Sequence, residues 1–368
     1  MIFKEKEEKY LFIFTIAITL VSGPLQLSSS SYAFYDINNI EQTTTTHELY
    51  EKNNSNIKDL NIALLTDGLF SDTGWGAFAY NAAHSLEIKY GYDIDFKENV
   101  AIPDIEIILR EYANAGYDLI IAHGFEWGTP AIKVAKDYPH INFVIFTGLV
   151  KATNVASISP MQQEATYLLG ALAAMMSKTN VIGFVGGEKY PNLINIYEGY
   201  KQGAHDINNN ITVLATYLDD WDNPSKGKEA ALSQIGDGAD FLLQVADTSG
   251  LGVIEAAKEK KIFVFGAISD QYKLAPNTVL TSFVLDEEKA FDQAIKMIQN
   301  SNFTGTIFKP GLEPYKGAPG DGIVYLAPFY GLENKIPDDV KTKFNTLKED
   351  VINKKIVIPE RYEIAKVD

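Results

Sequence analysis

The sequence predicts an α/β fold of two doubly wound parallel-sheet lobes with a ligand cleft between them. Short apolar runs alternate with amphipathic helical patterns over residues 62–351, and strands separated by helices build parallel sheets through right-handed crossovers. These strand–helix units are more numerous than one ordinary doubly wound sheet accommodates. The pattern also restarts near residue 180, where an apolar run ends in Gly186 and Gly187. Two lobes of similar build are the simplest arrangement that explains these observations.

The individual elements follow from the periodicity of the apolar residues. Strands are predicted over residues 62–66, 94–98, 119–122, 143–146, 181–185, 213–217, 241–245, 262–265, 279–283 and 323–326. Helical patterns begin at Ala77 and also cover residues 105–115, 130–137, 162–177, 193–208, 226–236, 252–260, 287–299 and 338–351. We expect the first lobe to comprise residues 61–152 and 284–326, and the second lobe residues 153–283 and 327–368.

The first 33 residues have the features of a signal peptide. An apolar run over residues 11–21 is shorter than the ~20 residues that span a bilayer. Ser31 and Ala33 then provide the small residues of a cleavage site. The charged segment before the run is balanced, with three Lys and three Glu, so an uncleaved anchor is the alternative. We expect an exported protein, at the extracellular face of the cell membrane or in a periplasm-like space.

Residues 34–60 are predicted to form a flexible tether, because they are mostly polar and lack an apolar period. The formal net charge of the chain is −16, with 48 acidic and 32 basic residues. A nucleic-acid or anionic-membrane partner requires a basic footprint, so we expect neither, apart from the anchor alternative. We expect a monomer.

Cysteine is absent from the sequence, which excludes disulfides, a thiol nucleophile, Cys-ligated zinc and a cysteine-linked lipid anchor. The five histidines form no i, i+4 pair, which argues against a zinc site. We therefore expect no metal and no other cofactor.

The first strand–loop–helix unit carries the strongest candidate ligand-binding residues. Asp67 ends the strand, Asp72 lies in the loop, and Trp75 stands between two glycines before the helix. Ligands of open α/β sheets collect at the carboxyl ends of strands, and an indole beside carboxylates suits a flat ligand that forms hydrogen bonds. The structural alternative is that Asp72 caps the helix and Trp75 packs on it.

Other predicted strand ends repeat this combination of acidic and aromatic residues. Phe125 follows the third strand, Trp221 the sixth, Asp247 the seventh and Asp270 the eighth. Acidic residues at such ends commonly cap the next helix, but capping does not explain the aromatic side chains. We therefore expect a ligand-binding set of Asp67, Asp72, Trp75, Phe125, Trp221, Asp247 and Asp270.

Motifs of common enzymes are not matched, and we expect no catalytic residues. Residues 247–252 (DTSGLG) depart from the nucleophile elbow, and residues 183–187 (GFVGG) fit neither the dinucleotide fingerprint nor a phosphate-binding loop. His123-Gly124 is similar to an esterase oxyanion turn but lacks a partner nucleophile. An exported nucleoside hydrolase that uses strand-end carboxylates as acid and base is the alternative.

Several short pieces in a fixed order carry a family resemblance. They are residues 66–75, 131–143 (AIKVAKDYPHINF), 154–155 (NV), 167–174 (YLLGALAA), 182–187 (IGFVGG), 199–203, 238–240 (GAD) and 280–282 (LTS). From about residue 62 to the C terminus the chain resembles the basic membrane protein family of substrate-binding proteins for ABC importers. The resemblance implies a type I periplasmic-binding-protein fold, hinge closure on a small-molecule ligand, and ABC permease subunits as partners. A surface sensor is a further alternative.

Details of the motifs bear on the ligand that the resemblance implies, a purine nucleobase or nucleoside. The nucleoside-binding branch has D-x-S-F-N in the first loop and G-V-D-S-D-Q later, where this chain has Gly76 for the Asn and Ile268 for the first Asp of the second motif. The Lys that follows the L-T-S strand there is Leu285 here. Gly74-Trp75 and Asp247-Thr248 are closer to a second branch, which resembles binders of free nucleobases. The resemblance thus implies a preference for the free base.

Overall fold

The computed structural model describes residues 60–71, 74–312 and 322–362. The predicted signal peptide, the predicted tether up to residue 59 and the candidate Asp72 lie outside the described residues. Within the described ranges the chain forms two six-stranded sheets and nine α-helices. No helix in these ranges combines the length and the apolar character that crossing a membrane requires.

The first sheet is parallel throughout and has the strand order β11-β5-β4-β3-β1-β2. Its strands are β1 (Asn61–Thr66), β2 (Asp93–Lys97), β3 (Leu119–His123), β4 (Asn142–Phe146), β5 (Val155–Ile158) and β11 (Ile307–Phe308). Four helices belong to this lobe, namely α1 (Trp75–Tyr90), α2 (Ile105–Ala115), α3 (Gly128–Ala135) and α8 (Glu287–Gln299). The central strands β1 and β3 read as continuous apolar runs because both of their faces are buried.

The second sheet has the order β12-β10-β9-β8-β6-β7, with β12 as an antiparallel edge strand. Its strands are β6 (Val181–Gly186), β7 (Thr212–Tyr217), β8 (Phe241–Val245), β9 (Phe263–Gly266), β10 (Val279–Leu285) and β12 (Val324–Leu326). Its helices are α4 (Gln162–Met176), α5 (Pro191–Ile207), α6 (Pro224–Gly236), α7 (Asp247–Lys260) and α9 (Asp338–Ile352). The two lobes therefore share one architecture, as predicted.

The predicted strands and helical patterns are all present, with bounds that differ by a few residues. Two short strands, β5 and β11, were not predicted, and the pairing of β5 and β12 differs from the predicted lobe boundaries. Residue Val155 pairs with Phe143 of β4, so β5 belongs to the first lobe rather than the second. Leu326 pairs with Phe283 of β10, so β12 belongs to the second lobe rather than the first. The chain crosses between the lobes after β5, after β10 and after β11.

Helices α4 and α5 pack at close range through glycines. A Cβ atom on Gly170 would stand 1.9 Å from the carbonyl oxygen of Tyr200, and one on Gly203 would stand 1.9 Å from the carbonyl oxygen of Tyr167. These clashes involve main-chain atoms, which cannot rotate away as the end of a side chain can. The contact between α4 and α5 therefore requires glycine at both positions.

We expect Gly170→Ala to lower the free energy of unfolding by ~1–3 kcal/mol, because an added methyl group overpacks the helix crossing. Denaturant titration with a far-ultraviolet readout measures the loss. Gly236→Ala is the matched control, since a Cβ there has no neighbour within 4 Å and alanine favours helix. Equal losses in the two variants would show that the crossing is not tightly packed.

Candidate functional site

A cavity of about 440 Å³ lies between the lobes. Its walls include residues that follow each of the strands β1 to β9, on the side of their carboxyl ends. Open parallel sheets bind their ligands at this edge, and the volume is in the range of small-molecule sites. The structure brings six of the seven predicted site residues to this cavity, namely Asp67, Trp75, Phe125, Trp221, Asp247 and Asp270.

Trp75 is the first residue of α1 and is held in a stack of rings. Its ring centroid lies 3.8 Å from that of His123, with 30° between the planes, and His123 in turn stacks on Phe146 at 5.2 Å. His123 is fully buried, and its Nε2 lies 3.3 Å from Oε2 of the buried Glu287. Trp75 therefore packs on the protein through one face, while the half-buried indole also lines the cavity.

Asp247 makes a contact that crosses the cleft. It begins α7 in the second lobe at a φ of 49°, and its Oδ2 accepts a long hydrogen bond, 3.4 Å, from the Trp75 N–H in the first lobe. A Cβ atom on Gly74 would lie 1.5 Å from Asp247 Oδ1, so the carboxylate can approach only because residue 74 is glycine. The N-terminus of α1 carries partial positive charge that attracts the carboxylate. Asp247 therefore joins the lobes, a role that the sequence does not reveal.

The second lobe contributes an aromatic wall. A Cβ atom on Gly187 would stand 2.3 Å from Cε3 of Trp221, so the glycine allows the indole to lie against the main chain. The Ser249 N–H donates to the Trp221 carbonyl at 2.8 Å and fixes the loop that carries the indole. Tyr190 lies beside it, with ring centroids 6.2 Å apart. From the first lobe Phe125 reaches the cavity on a 3₁₀ turn that follows Gly124.

Two half-buried acidic residues of the first lobe, Asp67 and Glu126, share the cavity wall. Burial, then the charge of Asp67 and that of Glu188, raise the pKa of Glu126 to about 8. Burial also raises the pKa of Asp67, against the opposing charge of His123. The buried Asp67 Oδ1 and Glu126 Oε1 have no hydrogen-bond partner within the described part of the chain. Glu126 was not among the predicted site residues, although its position just after a strand end is the signal used for the others.

The raised pKa of Glu126 predicts that stability falls as pH rises. Between the ordinary pKa of 4.5 and about 8 the folded chain holds a proton that the unfolded chain releases, so rising pH favours unfolding. Glu126→Gln should flatten this fall and stabilise the unliganded protein at pH 8. Urea denaturation at a series of pH values compares it with wild type and with Glu188→Gln, which should keep most of the fall. An unaltered pH profile in Glu126→Gln would contradict the burial of a titrating carboxyl.

Asp270 lines the cavity but is exposed and already engaged. Its carboxylate accepts from the Tyr272 N–H at 3.1 Å and from the Tyr330 hydroxyl. Ile268 lines the cavity at a φ of 66°. Leu285 is buried in β10 and is not a lining residue. Of the three positions that depart from the nucleoside-binding pattern, Gly76, Ile268 and Leu285, only Ile268 is a lining residue.

The structure adds polar lining residues that sequence reasoning missed. Gln244 Nε2 donates to Gln271 Oε1 at 2.6 Å, and the Gln271 N–H donates to Ser282 Oγ at 3.1 Å. Both glutamines line the cavity. The signal for Gln244 was present in the sequence, since it is the one polar residue in the apolar strand β8. Thr147, Gln162 and Asn192 also line the cavity.

The cavity is strongly acidic. Among the described lining residues there are five carboxyl side chains, and Lys273 is the one lysine or arginine. No group of three or more His, Asp or Glu in the described ranges is arranged to hold a metal ion. The site therefore combines aromatic surfaces, hydrogen-bond acceptors and negative charge.

Comparison with known proteins identifies the family. Residues 59–361 match the family model described as ABC transporter substrate-binding protein PnrA-like. A purine-binding protein of Brucella abortus is 29% identical, over 77% of this chain and 78% of its own length. An ABC transporter nucleoside-binding protein of Lactococcus lactis is 28% identical, over 82% of this chain and 90% of its own.

The fold is that of solved solute-binding proteins. The crystal structure of an ABC transporter system solute-binding protein from Aeropyrum pernix superposes with a TM-score of 0.73 at 24% identity, over 82% of this chain and 94% of that one. A match over residues 59–361 covers most of the sequence, and it agrees with two parallel-sheet lobes around a cavity. This chain therefore belongs to the PnrA-like family of ABC transporter substrate-binding proteins, which are solute-binding receptors.

Proposed function

We propose that this protein binds a purine base between its lobes and delivers the base intact to an ABC permease. The observation that carries the proposal is the indole of Trp75, which is braced by His123 and borders a cavity lined by acceptors. A purine ring offers a flat face for stacking and N–H groups for the acceptors. The purine-binding and nucleoside-binding names of two relatives support the same ligand class.

Charge restricts the ligand further. With five carboxyl groups and one lysine in the described wall, a phosphorylated ligand would meet net repulsion in a partly desolvated site. We therefore propose a neutral or cationic base as the ligand rather than a nucleotide. Within the proposal, Trp75 and Phe125 stack on the ring, Trp221 forms the opposite aromatic wall, and Asp67 and Asp72 accept from the ring edge. Asp247 and Asp270 complete the predicted ligand-binding set.

Closure of the two lobes is part of the proposed mechanism. The three crossings between the lobes suit a hinge. The contact of Asp247 with the N-terminus of α1 forms only when the lobes are close, so it stabilises the closed state. Ligand bound on Trp75 would lie beside this contact and favour the same state. A closed receptor then presents both lobes to the permease.

We also place the protein outside the cytoplasm, because receptors of ABC importers meet their permeases there and residues 1–33 have the features of a signal peptide. N-terminal sequencing of the native protein tests this placement. We expect the mature chain to begin at Phe34, and a cytosolic protein that still begins at Met1 would refute it.

The proposal includes no chemical step, and titration separates a receptor from an enzyme. Calorimetric titration with adenine, guanine and hypoxanthine should show one site per chain for the bound bases, and chromatography after the titration should recover each ligand unchanged. Adenosine monophosphate should bind far more weakly than adenosine, from which it differs by the phosphate alone. Release of free base and ribose from a nucleoside would instead establish the hydrolase alternative, and absence of binding by all three bases would refute the purine assignment.

A further inference from the structure

Part of the cavity wall consists of buried oxygen atoms without partners. Within the described part of the chain these side-chain atoms accept or donate no hydrogen bond: Asp67 Oδ1, Glu126 Oε1, Thr147 Oγ1, Gln162 Oε1 and Asn192 Oδ1. A buried polar atom without a partner is costly, and native proteins rarely retain one without a reason. Five such oxygens on the wall of one cavity point to hydrogen-bond donors on the ligand.

Thr147 is the most specific of these groups. It is 4% exposed and stands at the end of β4 with a φ of 59°. A positive φ is unfavourable for a β-branched residue, and strained conformations of this kind cluster at functional sites. Gln162, also 4% exposed, begins α4 directly after the crossing from β5. Thr147 directly follows a strand and Gln162 begins a helix, and both have buried polar atoms.

The charges around Glu126 favour a donor as its partner. The charge of Asp67, at the end of β1, and that of Glu188, in the loop after β6, both raise the pKa of Glu126. Tyr190 lies on the same loop, and burial, then Glu188, Glu126 and Asp67, raise the pKa of its hydroxyl. The charge of His123, at the end of β3, opposes the effect of burial on the pKa of Asp67. Among the described residues, the two charged groups that shift the pKa of Glu126 are both acidic. The repulsion between the carboxyl groups falls when N–H donors are placed between them.

We propose that Asp67, Glu126 and Thr147 form a subsite for an exocyclic amino group, so that this receptor selects amino-substituted purines over purines without the amino group. The inference rests on the proposed function and specifies its substrate class. An amino group brings two N–H donors to the acceptors of the subsite. A hydrogen atom in its place leaves these oxygens without partners. A site built to bind an N–H group rejects an analogue that lacks it.

Two matched pairs of compounds test the subsite by calorimetric titration at pH 7. Adenine differs from unsubstituted purine by an amino group at C6, and guanine differs from hypoxanthine by an amino group at C2. In each pair the amino-bearing base should bind the wild-type protein at least tenfold more tightly. Glu126→Leu and Thr147→Val remove acceptor atoms from the subsite and should bring these ratios toward one. The control variant Glu188→Leu should keep the wild-type ratios, since Glu188 is not a lining residue.

The outcomes separate the subsite from the wider proposal. Binding of all four compounds with ratios near one in the wild-type protein would overturn the amino subsite and leave the purine receptor standing. Ratios above tenfold that persist in both Glu126→Leu and Thr147→Val would also overturn the subsite. Failure of all four compounds to bind would contradict the subsite and the proposed function together.

Discussion

Replacing Trp75 by alanine should weaken the binding of a purine base by roughly tenfold to a hundredfold. Stacking of a base on an aromatic side chain is worth ~1–3 kcal/mol by truncation, and about 1.4 kcal/mol corresponds to a factor of ten in affinity. The indole is braced by His123 at 3.8 Å, so it needs no reorganisation to accept a ring on its other surface. Calorimetric titration of wild type and Trp75→Ala with the same base measures the loss.

Trp75→Ala also removes packing from His123, so stability must be measured beside affinity. Trp75→Phe is the control, because it keeps an aromatic face above His123 and should retain most of the affinity. Thermal denaturation of both variants separates a local loss of stacking from general destabilisation. If Trp75→Ala binds the base as tightly as wild type while remaining folded, the ligand does not stack on this residue.

Free bases should bind more tightly than their nucleosides. Ile268 is the position of a departure from the nucleoside-binding motif, and it lines the cavity with an apolar side chain. A ribose hydroxyl buried there without a partner would cost ~1–3 kcal/mol. Hypoxanthine should therefore bind about tenfold or more tightly than inosine. Leu285 does not contribute to this preference, because it lies off the cavity wall.

Ile268→Asp should narrow the difference in affinity between hypoxanthine and inosine, because it should improve inosine binding. Its carboxylate would accept from the ribose hydroxyls, and aspartate tolerates a positive φ better than a β-branched residue does. Ile268→Leu is the control, since it keeps an apolar wall and should keep the preference for the base. Tighter binding of inosine than of hypoxanthine by the wild-type protein would show that a ribose site exists elsewhere in the cavity.

Much of the fold could be predicted because its strands are buried on both faces. Such strands give uninterrupted apolar runs, and the helices between them keep a regular period. Strands β5 and β11 could not be found this way, because four and two residues are too few to show a pattern. Their place depends on pairing between distant segments, such as Ser157 with Ile307. The predicted lobe boundaries differ at β5 and β12, because the lobe of each strand is set by pairing with a distant segment.

The candidate site could be located from the rule that ligands collect at the carboxyl ends of parallel strands. That rule leads to Asp67, Trp75 and their counterparts in the second lobe. It does not reveal which of these side chains form contacts within the protein rather than with a ligand. The hydrogen bond between Trp75 and Asp247 joins residues 172 positions apart, and it depends on the missing side chain of Gly74. The raised pKa of Glu126 likewise depends on burial and on the charge of Asp67, which the sequence alone does not bring together.

The small molecules released from the native protein test the central claim most directly. The protein is purified without denaturation from its own cells, then denatured, and the released compounds are quantified by mass spectrometry. We expect one purine base in a ratio of about one per chain, and far less of it from Trp75→Ala purified in the same way. A phosphorylated compound, a sugar or an amino acid released at that ratio would contradict a purine receptor.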